Sequence, residues 1–291
     1  MTRFFLCILM LSGTLGVAVG PDAGAQATPD TSALGRARAA WQRTPENVDS
    51  IIWYGRRVGY TGAFDEAIAI YTEGLRLHPI ESRLLRHRGH RYISKRDLPR
   101  AIADLSRARE LEAGRPDQVE PDGQPNVRGI PTSTLHSNIR YHLALAHFLK
   151  GELPSAAALW EEDARLSANL DHRVAASYWW VITAAQLGRT DVVLETLAPI
   201  RADWDIIENG SYHRLLLYFR GDLQVDALLN ERSTPLELQT IGNGVVQWRL
   251  AKGERREAEL MIRRVLASGP SASFGYLAVE AAAERLGMGR R

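Results

Sequence analysis

The side chains best suited to bind a ligand lie together in one short stretch. Five basic residues recur at spacings of three and four, as they would along one face of a helix: Arg83, Arg86, His87, His90 and Arg91. Between positions 83 and 100, seven residues are Arg or Lys and only Asp97 is acidic. This charge predicts an anionic ligand, because guanidinium groups bind carboxylates and phosphates well. The alternative is a solvated face, or one paired with neighbouring acids.

Two pairs of histidines in the sequence are close enough to be compared with a helical metal-binding motif. His87 and His90 are three residues apart, and His142 and His147 are five apart. Neither pair has the four-residue spacing with an interposed Glu that a helical zinc motif requires, so no metal site is predicted. His90 suggests pH-sensitive anion binding instead, because an unperturbed imidazole titrates at about pH 6.5.

Patterns for catalysis are missing from the sequence. It has no Gly-x-Ser-x-Gly motif and no phosphate-binding glycine-rich loop with Lys. Asp117, Glu120 and Asp122 are interpreted as solvated loop acids rather than as an acid and base pair. We therefore predict a chain that is not an enzyme and needs no cofactor.

Aromatic residues cluster at positions 178–180, in the run Tyr-Trp-Trp. Stacking on sugars or peptides is the functional interpretation, and packing in a core is the alternative that we favour. Adjacent residues lie about 100° apart around a helix, so at most one of Trp179 and Trp180 is expected to face a ligand.

The overall composition excludes several classes of protein. Of 291 residues, 45% are apolar and 24% are charged, which is typical of folded globular chains. The formal net charge of +2 is too balanced to indicate a nucleic-acid-binding protein. Any charged site must therefore be local.

The first residues resemble a secretory signal. Arg3 precedes an apolar stretch over positions 4–19, and Ala23 and Ala25 suit a cleavage site after Ala25. The alternatives are cleavage after Ala27 and a retained N-terminal anchor. Cys7 is the only cysteine, so the mature chain would have no disulfide. We expect a periplasmic or secreted protein with no stable membrane insertion after cleavage.

The elements that position these residues follow a repeat of 34 residues. Shifting the sequence by 34 places Pro45 on Pro79, Gly55 on Gly89 and Ala67 on Ala101. Each period predicts two helices with small residues where they cross, first at positions 48–60 and 65–77.

These positions resemble the tetratricopeptide repeat. The matching residues of the first copy are Ile51, Tyr54, Gly55, Val58, Gly62, Ala67, Tyr71, Gly74 and Pro79. The second copy departs from the pattern, because Arg88 replaces a usual leucine and its turn has no glycine. The resemblance implies an all-α, right-handed superhelical solenoid whose first helices line a concave groove.

The resemblance covers most of the chain and divides it into segments. In order, these are a signal peptide (1–25), a tail with a capping helix (26–47), two well-matched hairpins (48–113), a proline-rich insert (114–134), four divergent hairpins (135–272) and a C-terminal capping helix (273–291). The insert either folds across the groove or is a solvated spacer.

The groove positions that commonly contact ligand in this family correspond here to Arg56, Tyr60, Arg83, Arg86, His90 and Ile93. Some members grip a peptide C-terminus with Lys and Asn, but Ile52 and Arg56 stand at those positions. The resemblance implies a non-catalytic scaffold that binds a protein or peptide partner in its concave groove. The signal-like first residues predict that it is exported, and the basic stretch predicts a partner of acidic character. A glycan or small-molecule binder, or an enzyme with a pocket under the insert, is the alternative. The oligomeric state stays open.

Overall fold

The structure is a computed structural model that describes residues 31–121 and 125–288. In these ranges the chain forms α-helices and one 3-10 helix, with no β-strand beyond an isolated bridge. The α-helices are α1 (Thr31–Arg43), α2 (Val48–Tyr60), α3 (Phe64–Leu77), α4 (Ser82–Ser94), α5 (Leu98–Glu112), α6 (Leu135–Lys150), α7 (Leu153–Arg165), α8 (Leu170–Gln186), α9 (Thr190–Leu197), α10 (Gly210–Arg220), α11 (Pro235–Ala251), α12 (Arg255–Leu266) and α13 (Phe274–Arg285). The predicted signal segment and Asp122 lie outside the described residues.

Local signals explain where the helices start and stop. The side chain of Asn47 accepts a hydrogen bond from the Ser50 amide and caps α2. Thr134 and Ser137 form a reciprocal capping box at the start of α6. Gly62 follows α2 with φ of 87°, a left-handed conformation that suits glycine.

The predicted hairpin packing is present in α2–α3 and α4–α5. A Cβ atom on Gly55 would lie 2.5 Å from the ring of Tyr71, and one on Gly89 would lie 2.7 Å from Leu105. Both large side chains are buried. The small residue of the first helix therefore admits the large residue of the second, as the repeat pattern predicts.

The second hairpin compensates for both departures from the repeat. Arg88 forms a two-pronged ion pair with Asp104, at 2.7 and 2.8 Å, so the charge in place of leucine is neutralised. At the turn, Arg96 adopts φ of 63°. Arg96 lies 34 positions after Gly62 and adopts the same left-handed backbone conformation, although its Cβ atom makes that conformation less favourable than it is for glycine.

The count of four hairpins over 135–272 is corrected to three hairpins and one unpaired helix. After α10 the chain forms only the 3-10 helix Val225–Ala227. The segment 221–234 has 14 residues, whereas 61–81, which holds the turn and second helix of the first hairpin, has 21. It is too short for a full second helix, and Arg214 binds it through the carbonyls of Ala227 and Leu228.

The C-terminal helix packs inward as well as along the stack. Helix α13 contacts α11 and α12, and also α6. The ring of Phe274 lies 5.4 Å from His90 and 5.5 Å from His142, centroid to centroid. Arg96 Nε donates to Glu280 Oε2 at 2.8 Å. The inner face of α4 and α6 is therefore partly covered by α13, and the expected open groove is absent here.

At the other end, α1 covers the first hairpin. Trp41 stacks on Tyr54 with ring centroids 5.0 Å apart. Leu34 and Ala37 pack against the same hydrophobic cluster. In the part of the chain that the structure describes, no helix is long and apolar enough to cross a membrane.

Candidate functional site

The basic residues of α4 point into the protein. Arg86 is 7% exposed, His87 is 4% exposed and Arg91 is 8% exposed, and His90 is partly buried. We call these four residues, with Arg56 of α2, the basic cluster. Burial of guanidinium groups is costly unless charge or hydrogen bonds compensate, so their partners decide what the cluster can do.

The acid that faces the cluster comes from the insert. Glu120 is 8% exposed, and its carboxylate lies 3.1 Å from both Arg86 Nε and His87 Nε2. Asn138 donates a hydrogen bond to Glu120 Oε2 at 2.9 Å. Glu120 is thus a buried partner of two cluster residues and not a solvated loop acid, which corrects that interpretation.

The geometry of these contacts is uneven. Arg86 Nε and Glu120 Oε1 are within ion-pair distance of their partners, but the angles do not make hydrogen bonds. Arg86 also donates to His87 Nδ1 at 3.0 Å. The carboxylate of Glu120 is therefore held by charge and by Asn138 more than by aligned bonds from Arg86.

The insert crosses the inner face of the stack. Val119 and Thr134 form an antiparallel bridge, and Arg56 Nη1 donates to the Pro121 carbonyl at 2.6 Å. Further along the insert, Arg128 makes a two-pronged ion pair with Asp205, in the α9–α10 loop. We call the described residues of the insert, 114–121 and 125–134, the strap. It lies across the face instead of standing away as a solvated spacer.

Charge and burial set the protonation of the cluster. Burial would raise the pKa of Glu120, but Arg86, His87 and Arg56 outweigh it and hold that pKa well below its usual range. Burial, with the charge of Arg86, lowers the pKa of His87 to about 3 and that of His142 to about 3. Burial and Arg91 hold the pKa of His90 well below its usual range. His90 is therefore neutral near pH 7, which corrects its predicted role as a pH sensor.

The cluster carries more positive charge than its surroundings neutralise. Arg91 Nη2 donates to His90 Nδ1 at 2.8 Å, and its guanidinium lies 5.7 Å from the Phe64 ring centre. Within residues 31–121 and 125–288, no carboxylate lies within ion-pair distance of Arg91, whereas Arg86 has Glu120. The cluster thus contains three arginines, and Glu120 is the one carboxylate paired with it in the described chain.

The structure brings only some of the predicted site residues together. Arg56 and Arg86 meet at the strap, and His90 lies beneath Phe274. Arg83 is turned away and pairs with Asp49 and Glu81. Tyr60 is partly buried, with the Arg57 guanidinium 5.9 Å from its ring centre.

Ile93 is the clearest correction among the predicted ligand contacts. Its exposure is 0% because it packs within the main hydrophobic core, so it does not line a groove.

Two members of the site were not predicted from the sequence. The spacing of α4 places Arg91 on the basic face, but the family resemblance does not include it among the ligand contacts. Gly59 was the available signal, since a Cβ there would lie 2.9 Å from Arg91 Nη1, which shows that Arg91 crosses to α2 at a glycine. No periodic signal marked Glu120, because it lies in the insert.

The aromatic run is part of the core. Trp179 is 0% exposed and donates to Tyr141 Oη at 2.6 Å, and Trp180 is 5% exposed. Trp160 stacks on Trp179 with centroids 5.6 Å apart. The run therefore offers no exposed platform for a sugar ring.

The comparisons with known proteins bear on the fold. No family model and no curated protein matches the sequence. A tetratricopeptide repeat protein from Parabacteroides merdae superposes with a TM-score of 0.51 and 16% identity, over 86% of this chain and 91% of that one. This chain has a tetratricopeptide-repeat fold.

Two more solved tetratricopeptide-repeat structures are similar to it at a lower level. YrrB, a protein with an unusual peptide-binding site, gives a TM-score of 0.46 at 15% identity, over 86% of this chain and 99% of its own. TPR-like repeats described as a kinesin light chain from Podosopora anserina give 0.46 at 14% identity, over 83% and 98%.

Proposed function

We propose that this chain is a non-catalytic scaffold that binds an acidic segment of a protein partner on its inner face, at the basic cluster. One observation carries the proposal: Arg56 and Arg86 meet where the described chain supplies a single carboxylate, Glu120, and Arg91, on the same helix as Arg86, has no carboxylate within ion-pair distance in that part of the chain. Guanidinium groups shielded from water bind carboxylates more strongly than exposed ones do.

A peptide suits this site better than a small anion does. Arg56 already binds a backbone carbonyl, that of Pro121, beside the carboxylate held by Arg86. The cluster therefore recognises main chain and side chain together, as a peptide-binding surface does. The alternative of a glycan stacked on the aromatic run has no support, because Trp179 and Trp180 are buried.

We also infer that the protein acts outside the cytoplasm. The support is the apolar stretch over positions 4–19 after Arg3, and the confinement of cysteine to Cys7. Expression of the full sequence should yield a product shortened by about 25 residues in the periplasmic fraction. A full-length product that stays in the cytoplasm would contradict this part of the proposal.

Peptide binding tests the proposed site. Fluorescence anisotropy should show binding of a labelled hexapeptide with two Glu, and weaker binding of its Gln counterpart. Arg56→Gln should weaken binding of the Glu peptide about tenfold, since a hydrogen bond to a charged group is worth about 1.5–3 kcal/mol. Raising the salt concentration should weaken it further.

The control is Arg107→Gln, which removes an exposed arginine paired with Glu110 on α5. It should leave the affinity unchanged. Equal binding of the Glu and Gln peptides, or equal losses in the two arginine variants, would reject the site.

A further inference from the structure

We infer that the strap is a built-in occupant of the partner's site, so that residues 119–121, Val-Glu-Pro, show the form of the segment that the protein recognises. That segment is an extended peptide with one Glu or Asp, whose carboxylate takes the place of Glu120 beside Arg86 and His87. The carbonyl of its next residue takes the place of Pro121 on Arg56. This inference rests on the proposed function.

The positive and negative charges of the site come from different parts of the chain. The cations Arg56, Arg86 and Arg91 all belong to the helices α2 and α4, which form the repeat framework. Glu120 belongs to a segment that interrupts the repeat. In an ion pair of the repeat framework, both residues would lie on repeat helices. Here the arginines lie on repeat helices, whereas the carboxylate of Glu120 comes from a loop.

Residues 119–121 meet the repeat framework as an extended peptide would. Within the strap, Val119 pairs with Thr134 in an antiparallel bridge and the Glu120 amide donates to the Ser133 carbonyl at 3.3 Å, and these bonds support the extended form. The side chain of Glu120 enters the cluster while the next carbonyl meets Arg56. Alternating main-chain and side-chain contacts of this kind are typical of bound extended segments.

The strap fits the arginines imperfectly. Arg86 Nε makes no aligned hydrogen bond to Glu120, whereas Arg140 Nε makes one to Asp163 within the helices. Arg91 has no carboxylate within ion-pair distance in the described chain. The strap is tied to α5 and α6 at its two ends, which restricts how its carboxylate can turn. A free peptide is not restricted in this way and can align its carboxylate with the guanidinium groups.

The outer part of the strap, around Arg128, is lightly attached. Arg128 and Asp205 are 45% and 71% exposed in their side chains, and exposed ion pairs of this kind contribute little to stability. Thr132, nearer α6, is buried and bonded to Glu208 and Asn169, so that end of the strap stays attached. The obstacle to displacing residues 119–121 is therefore the set of contacts that these residues make themselves, so binding of the partner and release of these residues compete directly.

The experiment uses a tetrapeptide copied from the strap, acetyl-Gln-Val-Glu-Pro-amide, and its counterpart with Gln in place of Glu. Glu120→Gln should bind the Glu peptide about tenfold more tightly than the unaltered protein does, because the competing carboxylate is gone. The matched control, Glu110→Gln, neutralises an exposed acid on α5 and should leave the affinity unchanged. Circular dichroism checks that each variant is folded.

A second measurement follows the strap directly. Hydrogen exchange of the Glu120 and Leu135 amides, which are bonded within the strap and at its junction with α6, should speed up when the Glu peptide binds the unaltered protein. Asp205→Asn, which loosens the outer end and leaves Glu120 in place, should tighten peptide binding about twofold. If Glu120→Gln does not fold, the affinity of Asp205→Asn for the Glu peptide still tests the inference.

The outcomes separate the two proposals. If hexapeptides with Glu bind the protein but the strap-derived peptide binds neither Glu120→Gln nor Asp205→Asn, the inference is overturned and the proposed function stands. The inference is also overturned if Glu120→Gln and the unaltered protein bind the Glu peptide with equal affinity and if peptide binding leaves hydrogen exchange of the Glu120 and Leu135 amides unchanged. If no acidic peptide binds any variant, both are overturned.

Discussion

Two buried groups in this protein each combine an arginine, a histidine and a carboxylate, but their carboxylates lie in different parts of the fold. In the helix triad, Arg140 Nε donates to Asp163 Oδ1 at 2.9 Å, and His172 Nε2 lies 3.0 Å from Asp163 Oδ2. In the strap triad, Arg86 and His87 flank Glu120 at 3.1 Å. Each group places one carboxylate between an arginine and a histidine.

The position of the carboxylate in the chain separates their roles. Asp163 is 0% exposed and lies on α7, between α6 and α8, which carry its partners. It can leave only if the helices separate. Glu120 lies on the strap, outside the helices, and we expect the strap to lift there while the helices stay packed. The same chemistry would then serve the framework in one region and an exchangeable contact in the other.

The largest expected effect comes from breaking the helix triad. Asp163→Asn leaves Arg140 buried without a counter-charge, so the free energy of unfolding should fall by about 3–5 kcal/mol. Glu120→Gln should cost about 1–2 kcal/mol, because the strap can move and let water reach Arg86. Urea unfolding followed by circular dichroism measures both. Equal losses would show that the strap belongs to the framework.

An acid titration sharpens the comparison on the side of the strap triad. His87 has a folded-state pKa of about 3, and an unfolded histidine titrates at about 6.5. Below pH 6.5 the unfolded chain therefore binds more protons, and stability falls as the pH falls towards 3. The lowered pKa values of His90, His142 and Glu120 act in the same direction.

A variant isolates the share of His87 in this pH dependence. Between pH 7 and pH 5, His87→Asn should lose about 2 kcal/mol less stability than the unaltered protein does. His78→Asn, at a histidine whose ring meets the Glu46 carbonyl at the surface, is the control. The prediction fails if urea unfolding gives parallel pH profiles for His87→Asn and the unaltered protein.

The smallest expected effect is at the outer end of the strap. Arg128→Gln removes the exposed pair with Asp205 and should change global stability by less than about 1 kcal/mol. Hydrogen exchange should nevertheless speed up at the Gly129 amide, which donates to the Asn126 carbonyl. A large loss in the free energy of unfolding would instead show that this end of the strap stabilises the whole fold, as the helix triad does.

Local features of the fold could be predicted because the repeat records them. Helix α2 has the bounds expected from the sequence, and α3 begins one residue earlier, at Phe64. Gly55 opposite Tyr71 follows from packing within a single hairpin. Such contacts join residues about half a repeat apart, so the 34-residue period contains the information.

The contacts that cover the inner face could not be predicted in the same way. Glu120 reaches Arg86 from an insert that has no counterpart in the other repeats, and Phe274 reaches His90 from the far end of the chain. Both depend on how the stack curves, which the period does not specify. The sequence therefore located the basic residues of α4 but predicted an exposed face where the chain covers them.

The fold-back of α13 gives the stack a property that an open array of repeats lacks. Arg96 and Glu280 are 184 positions apart, and their contact ties the second turn to the last helix. In an open array each unit touches only its neighbours, so the ends can fray one unit at a time. Here the terminal unit is also a neighbour of an early one. Fraying at the C-terminus would uncover α4 and α6, so α13 and the α4–α6 region are expected to melt as a single cooperative unit.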